Sequence, residues 1–199
     1  MQLKSNSRFP DEDLMLRYRN GDEDAFEMLY RRYEKPVFSF IYRILISVAD
    51  AEDLCQETFL RLVKEKEKYQ GSGNFKTWIF RIALNLCRDR LRRKKFRSHR
   101  SIDTPFLSQN GNINEFENSL SDPTPDQIDC MEKNEMKVLI QQAFTKLPVK
   151  QRTVVILKEY QSLKFSEIAE IMKSPVGTIK SLNHRGHQKL KKILANYIE

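Results

Sequence analysis

An all-α fold follows from three features of this 199-residue sequence. Apolar residues recur at three- and four-residue spacing over long stretches, the period of a helix face rather than a strand. Six glycines and seven prolines are too few for a turn-punctuated all-β design. Thr153-Val154-Val155-Ile156-Leu157 passes for a strand in isolation, but no other segment makes a convincing partner for it.

Taken in order, Glu23 to Ile46 carries Phe26, Leu29, Tyr30, Tyr33, Val37, Ile41 and Leu45 at helical spacing. Pro36 inside that run predicts a kink or a division. The next helix runs from about Ala49 to Lys66, with Asp50 near its N-cap and Ala51, Leu54, Cys55, Thr58, Phe59 and Leu62 inward. Two glycines in KYQGSGNFKTW break the pattern, as turn residues do. A helix from Phe75 to about Phe96 follows, with Trp78, Ile79, Ile82, Ala83 and Leu86 apolar. Further on, helices are predicted over Glu132–Lys146 and Val149–Tyr160, around Leu147-Pro148. Phe165–Met172 comes next, capped by Ser166, then a short KSPVG turn and a last helix, Val176–Tyr197.

Composition bounds the function. With 40% hydrophobic and 31% charged residues, the chain has an ordinary soluble make-up. The longest apolar stretch, Val37–Ala49, contains Arg43 and is too short to cross a bilayer. The start, MQLKSNSRFPDEDL, lacks the apolar core of a secretory signal. A cytosolic protein without membrane insertion is expected. Cys55, Cys87 and Cys130 form no close pair, so neither a zinc motif nor a disulfide framework is expected. His184 and His187 stand three apart with no evident third metal ligand. No nucleophile–base constellation or phosphate-cradling glycine loop is visible, so no catalytic residue, metal or cofactor is expected.

The net charge of +8 favours a polyanionic partner, and its distribution says more. Arg88 to Arg100 holds eight Lys and Arg and one Asp, a local +7. Ser101 to Glu135 holds eight acids and one Lys, a local −7. Ile171 to Ile198 holds six Lys and Arg and no acid, a local +6. The acidic stretch is rich in Ser, Asn, Asp and Pro and keeps no sustained period. Two small helical domains are therefore expected, residues 10–97 and 132–199, joined by a flexible acidic linker over 98–131. Two basic surfaces on one tether suit two sites on one long polyanion, although solvated helix ends would have the same composition.

The last two helices have helix-turn-helix form. Ser166 to Met172 is short, Lys173-Ser174-Pro175 turns the chain, and Val176 opens the next helix. At 100° per residue, Ile179, Leu182, Leu190, Ile193 and Tyr197 share one side, with Gly186 in its middle. A mid-helix glycine costs roughly 1 kcal/mol against Ala, which close approach of a neighbouring helix would justify. The opposite side presents Lys180, Ser181, His184, Arg185, Gln188 and Lys192. Short polar and basic groups on one such face suit a helix entering a major groove.

Together the two halves resemble the sigma-70 family of bacterial RNA polymerase sigma factors, in its short extracytoplasmic-function (ECF) type. DAFEMLYRRYEKPVFSFIYRIL, ADAEDLCQETFLRLV and FKTWIFRIALNLCRDRLRR stand in the order of that family's region 2. AFTKLPVKQRTVVILKEYQSLKFSEIAEIMKSPVGTIKS resembles region 4. The resemblance implies a non-catalytic specificity subunit whose partners are core RNA polymerase and promoter DNA, often with an anti-sigma protein that holds it inactive. It implies that the AEDLCQETF helix docks on the core. Projection puts Asp53, Gln56, Glu57 and Leu60 on that helix's outer side. It implies that the loop Tyr69–Asn74 and the following helix open and read the −10 element, which points to Tyr69, Asn74, Asn85, Arg88 and Arg92. Tyr69 suits stacking on an extruded base, with Gly71 and Gly73 allowing close backbone approach; a core-covering aromatic is the other reading. Trp78 is equally divided between core and stacking. For the −35 element the resemblance points to Lys180, Ser181, His184, Arg185 and Gln188, the face that projection also selects. Leu182, Asn183 and Gly186-His187 depart from the family's usual pattern. A stand-alone helix-turn-helix regulator is the competing class, and the polymerase-docking helix in the first half argues against it.

Overall fold

The computed structural model describes residues 9–69, 71, 74–100 and 139–195, the side chains of 97–100 excepted. The tether beyond residue 100, Gly73, Cys130, the start of the expected Glu132–Lys146 helix, and Tyr197 lie outside the described residues.

Pro10 precedes a helix that periodicity alone does not announce, α1 (Asp11–Arg19). Asp11, Glu12 and Asp13 fill its first turn, where negative charge meets N–H groups that have no partner in the helix. Of its few apolar residues, Leu14, Met15 and Tyr18 are buried and Leu16 is partly so. Asp22 then caps α2 (Glu23–Leu45), accepting from the Ala25 N–H at 3.2 Å. The helix runs through Pro36 undivided, which corrects the expected division. Proline removes one ladder hydrogen bond there, while Val37, Phe40, Ile41 and Ile44 beyond it are essentially fully buried and hold the helix on course. Burying each such side chain contributes roughly 1.5–3 kcal/mol.

Ser47 caps α3 (Val48–Lys64), its hydroxyl accepting from the Asp50 N–H at 3.3 Å, which leaves Asp50 near the N-cap as expected. After a 3-10 turn, Lys66–Lys68, Asn74 starts α4 (Phe75–Arg100) by accepting from the N–H groups of Lys76 and Thr77 at 2.9 and 3.4 Å. In the second half, residues 139–145 are helical (α5), followed by α6 (Val149–Glu159), α7 (Phe165–Met172) and α8 (Val176–Ala195). The residue before α7 is Lys164, so the expected Ser166 cap is also corrected. Glu167 supplies the polar contact instead, accepting from the Lys164 N–H at 2.6 Å. The TVVIL segment lies within α6.

The first bundle packs α2 against α1, α3 and α4, and α3 against α4. In the second, α6, α7 and α8 pack on one another. The two bundles meet along α4 with α7 and α2 with α6, and their buried apolar residues form one connected cluster.

Candidate nucleic-acid interface

Three surfaces gather the residues singled out by sequence. On the outer side of the first bundle, Asp53, Gln56, Glu57 and Leu60 line one open groove between α3 and α4, with Arg61 and Arg93. Leu60 is 53% exposed in that groove while Leu54 and Phe59 beside it are buried. Arg61 pairs with Glu57 at 2.9 Å, and Arg90 reaches Asp53 at 3.6 Å. The groove thus holds an apolar knob within a charged rim, which is the anatomy of a protein-docking surface.

Along α4, Asn85, Arg88 and Arg92 are exposed, and their spacing of three and four residues puts them on one face. Arg92 donates to Asp89 at 3.1 Å across one turn. The basic run is divided in two, because Arg90 and Lys94 both turn onto the carboxylate of Asp50. Burial pushes the Asp50 carboxyl up, but hydrogen bonding and charge from Lys94 and charge from Arg90 outweigh it and hold its pKa below the usual value. Asp50 therefore stays ionised and straps α4 to α3. Sequence reasoning missed this role, since an Asp near a helix start reads as a cap and its partners lie 40 and 44 residues away.

Tyr69 differs from the expected presentation. It is 4% exposed, its ring 5.3 Å from that of Trp78 and 6.2 Å from that of Phe75. Burial, with Glu12 and Asp11 nearby, pushes its phenol up to about 12. Arg19 from α1 donates to the Tyr69 carbonyl at 2.8 Å, and Glu12 accepts from the Phe75 N–H at 3.1 Å. Tyr69 is thus packed as the core-covering aromatic, with Trp78 half-buried against it. Gly71 takes a left-handed φ of 70°, and a Cβ there would sit 3.2 Å from Leu16. The loop is anchored on α1, and the run of acids after Pro10 was the available signal for that helix. Asn74 is exposed, but its side-chain oxygen is committed to starting α4.

On α8, Lys180, Ser181, His184, Arg185 and Gln188 are all exposed and brought together on one face. His184 and Gln188 hydrogen-bond one turn apart at 2.9 Å, and Arg185 donates to the Ser181 carbonyl at 3.3 Å. Behind this face Ile179 and Gly186 are buried. A Cβ on Gly186 would lie 2.8 Å from Val155 Cγ2 and 3.6 Å from Gln151 Cβ, so the glycine lets α6 and α8 come close, as its position predicts.

Comparison with known proteins bears on these surfaces. The first bundle matches the model of sigma-70 region 2 over residues 29–97, and the second that of sigma-70 region 4 over residues 137–190. The chain is 36% identical over 176 residues to the ECF RNA polymerase sigma factor SigW of Bacillus subtilis, covering 88% of this chain and 92% of the relative. This chain is an ECF sigma factor of the sigma-70 family. It is also 29% identical over 185 residues to the RNA polymerase sigma-H factor of Pseudomonas aeruginosa, 92% of this chain and 93% of that one. Its fold is similar to that of the sigma factor RpoE of Bartonella quintana, solved with the anti-sigma factor NepR. The TM-score is 0.64 at 20% identity, over 85% of this chain and 96% of that one. A likeness of TM-score 0.65 at 19% identity, over 94% and 97%, extends to CnrH, solved with the cytosolic domain of CnrY. The region 2 match thus spans most of α2, all of α3 and most of α4 with the groove, and the region 4 match spans the helix-turn-helix of α7 and most of α8. No described helix is long and apolar enough to cross a membrane.

Proposed function

We propose that this sigma factor binds core RNA polymerase through the α3–α4 groove, reads the −10 element with α4 and the −35 element with α8, and so directs initiation at its own promoters in the cytoplasm. The reading rests most on one observation: an exposed Leu60 stands among Asp53, Gln56 and Glu57 in a groove on the first bundle, while the second carries a separate polar and basic helix face. A DNA-binding regulator acting alone has no need of the first surface. Arg88 and Arg92 would hold phosphates, and Asn85 and Asn74 would meet base edges or an extruded base. Tyr69 enters this account packed against Trp78 and Phe75, not as a ring presented to an extruded base. Lys180, Ser181, His184, Arg185 and Gln188 would meet the −35 major groove. The chain supplies no polymerising chemistry, which belongs to the core enzyme. An anti-sigma protein as a further partner rests on the family resemblance.

The test separates the two surfaces. Leu60→Asp should abolish capture of core polymerase while leaving binding to duplex −35 DNA unchanged, and Arg185→Ala should do the reverse. Core capture at full strength by Leu60→Asp would overturn the assignment of the groove.

A further inference from the structure

Phe96, near the end of α4, is 68% exposed, more than any other large apolar side chain among the described residues. A single exposed apolar residue is ordinary, but this one stands among cations. At 100° per residue, Phe96 falls in one row with Asn85 and Arg92, with Arg88 beside them, and all four are exposed. The opposite side of the helix carries Ile79, Ala83 and Cys87, which are buried, and Arg90 and Lys94, which turn onto Asp50 of α3. The ring therefore stands outward on the face assigned to the −10 element, away from the side of α4 that packs on α3.

Charge narrows the occupant. Arg90 to Arg100 holds seven Lys and Arg and no acid, so a partner for Phe96 must carry dense negative charge beside an apolar group. One apolar side chain is too little to hold a helix on a lipid surface, whereas DNA supplies both the charge and the apolar group. Position narrows it further. Asn74, assigned to an extruded base, starts α4, and Phe96 follows it by twenty-two residues, about 33 Å at 1.5 Å per residue. The chain leaves α4 at the Phe96 end for region 4, which is assigned to the −35 element. Phe96 thus faces paired DNA between the two elements. The apolar group that a base pair presents in the major groove is the thymine methyl. Entering the stack instead would need two base pairs prised apart.

We propose that Phe96 is a specificity residue that packs on the methyl group of one thymine in the duplex upstream of the −10 element. The inference rests on the assignment of α4 to that element. Phe96 lies eleven residues beyond Asn85, about 16 Å along the helix. At 3.4 Å per step, the thymine stands about five base pairs from the pair that Asn85 meets. Arg92, one turn before Phe96, would hold a phosphate beside it. The methyl marks which strand carries the thymine, so the contact tells T·A from A·T, and both from G·C, without a hydrogen bond.

The experiment uses the full chain assembled with core polymerase, on promoter duplexes found by run-off transcription with that holoenzyme. Each thymine in the first ten or so base pairs upstream of the −10 element is replaced in turn by deoxyuridine, which pairs alike and lacks the methyl. Wild-type holoenzyme should lose roughly fourfold in affinity at one position, the loss expected for one buried carbon. Phe96→Ala should bind the natural duplex at least as much more weakly and show no loss at that position, while Phe96→Leu keeps the sensitivity. Both variants should capture core polymerase as wild type does and unfold thermally as wild type does, since the ring is exposed. Wild-type affinity in Phe96→Ala, the lack of any methyl-sensitive position, or a sensitivity that persists in Phe96→Ala would each overturn the contact. Weakened core capture by both variants would overturn it too, and would make Phe96 part of the polymerase interface. Run-off transcription that yields no promoter would instead refute the functional assignment and take this inference with it.

Discussion

In region 2 helix α4 is drawn onto α3 by a buried carboxylate, Asp50, gripping Arg90 and Lys94. In region 4 helix α8 is brought onto α6 by a missing side chain, with Gly186 facing Val155. One attachment is charge and the other is shape. The difference has a cost on each side. The strap in region 2 ties up two cations of α4 and leaves Arg88 and Arg92 exposed. The close approach in region 4 spends no charge, so Lys180 and Arg185 stay on the surface, but it allows almost no change in volume.

The comparison breaks most visibly at Gly186. Gly186→Val forces two branched carbons against Val155, which is 2% exposed and has no room to withdraw. Overpacking of this kind should remove about 3 kcal/mol, read as an earlier unfolding transition by circular dichroism, with −35 binding lost. The loss should be the same at pH 4 and pH 7, because no titrating group is involved.

Asp50→Asn comes next. Removing one partner of a fully buried pair costs about 3–5 kcal/mol, but Arg90 and Lys94 are 26% and 41% exposed, so about 1–2 kcal/mol is expected. Here pH decides. The folded-state pKa of Asp50 is depressed, so its contribution is fully present above the unfolded-state value of about 3.9 and is lost as pH falls through the folded one. The gap between wild type and Asp50→Asn in denaturant titrations should be full at pH 7 and shrink below about pH 4. A gap that does not narrow in acid would show that the strap is packing rather than charge. The variant should also increase the salt sensitivity of DNA binding, since Lys94 is released to reach phosphates while Arg90 keeps only its 3.6 Å contact with Asp53.

The smallest effect sharpens the turn that aims α8. Lys173 ends α7 in a left-handed conformation, φ 51°, which glycine adopts without strain. Lys173→Gly should stabilise region 4 by about 0.5–1 kcal/mol in the same denaturant titrations.

Much of this was legible in the sequence, and the exceptions share a cause. The long helices, the two-part organisation and the α8 face show in apolar periodicity, because each buries one continuous stripe. Gly186 is visible because a mid-helix glycine at a buried position needs a reason. Helix α1 escapes because it offers only the short cluster Leu14, Met15, Leu16 and Tyr18 as apolar signal beside a run of acids. Tyr69 reads as a loop aromatic open to a base, and its burial is decided by α1 and α4, far away in sequence. The Asp50 strap and the contacts of α7 with α4 are long-range polar pairings, and no local spacing marks them. Leu60 is an outward apolar residue on α3 that local projection singles out among Asp53, Gln56 and Glu57, and it is exposed in the groove.

The central claim, that this chain confers promoter choice on RNA polymerase, is tested by run-off transcription of genomic fragments with sigma-free core enzyme. Addition of the protein should produce transcripts from a limited set of start sites whose upstream DNA shares one −35 and one −10 sequence. Core enzyme that stays silent or starts at random with the protein present, while the protein alone binds the same fragments, would contradict it and return the chain to the class of stand-alone regulators.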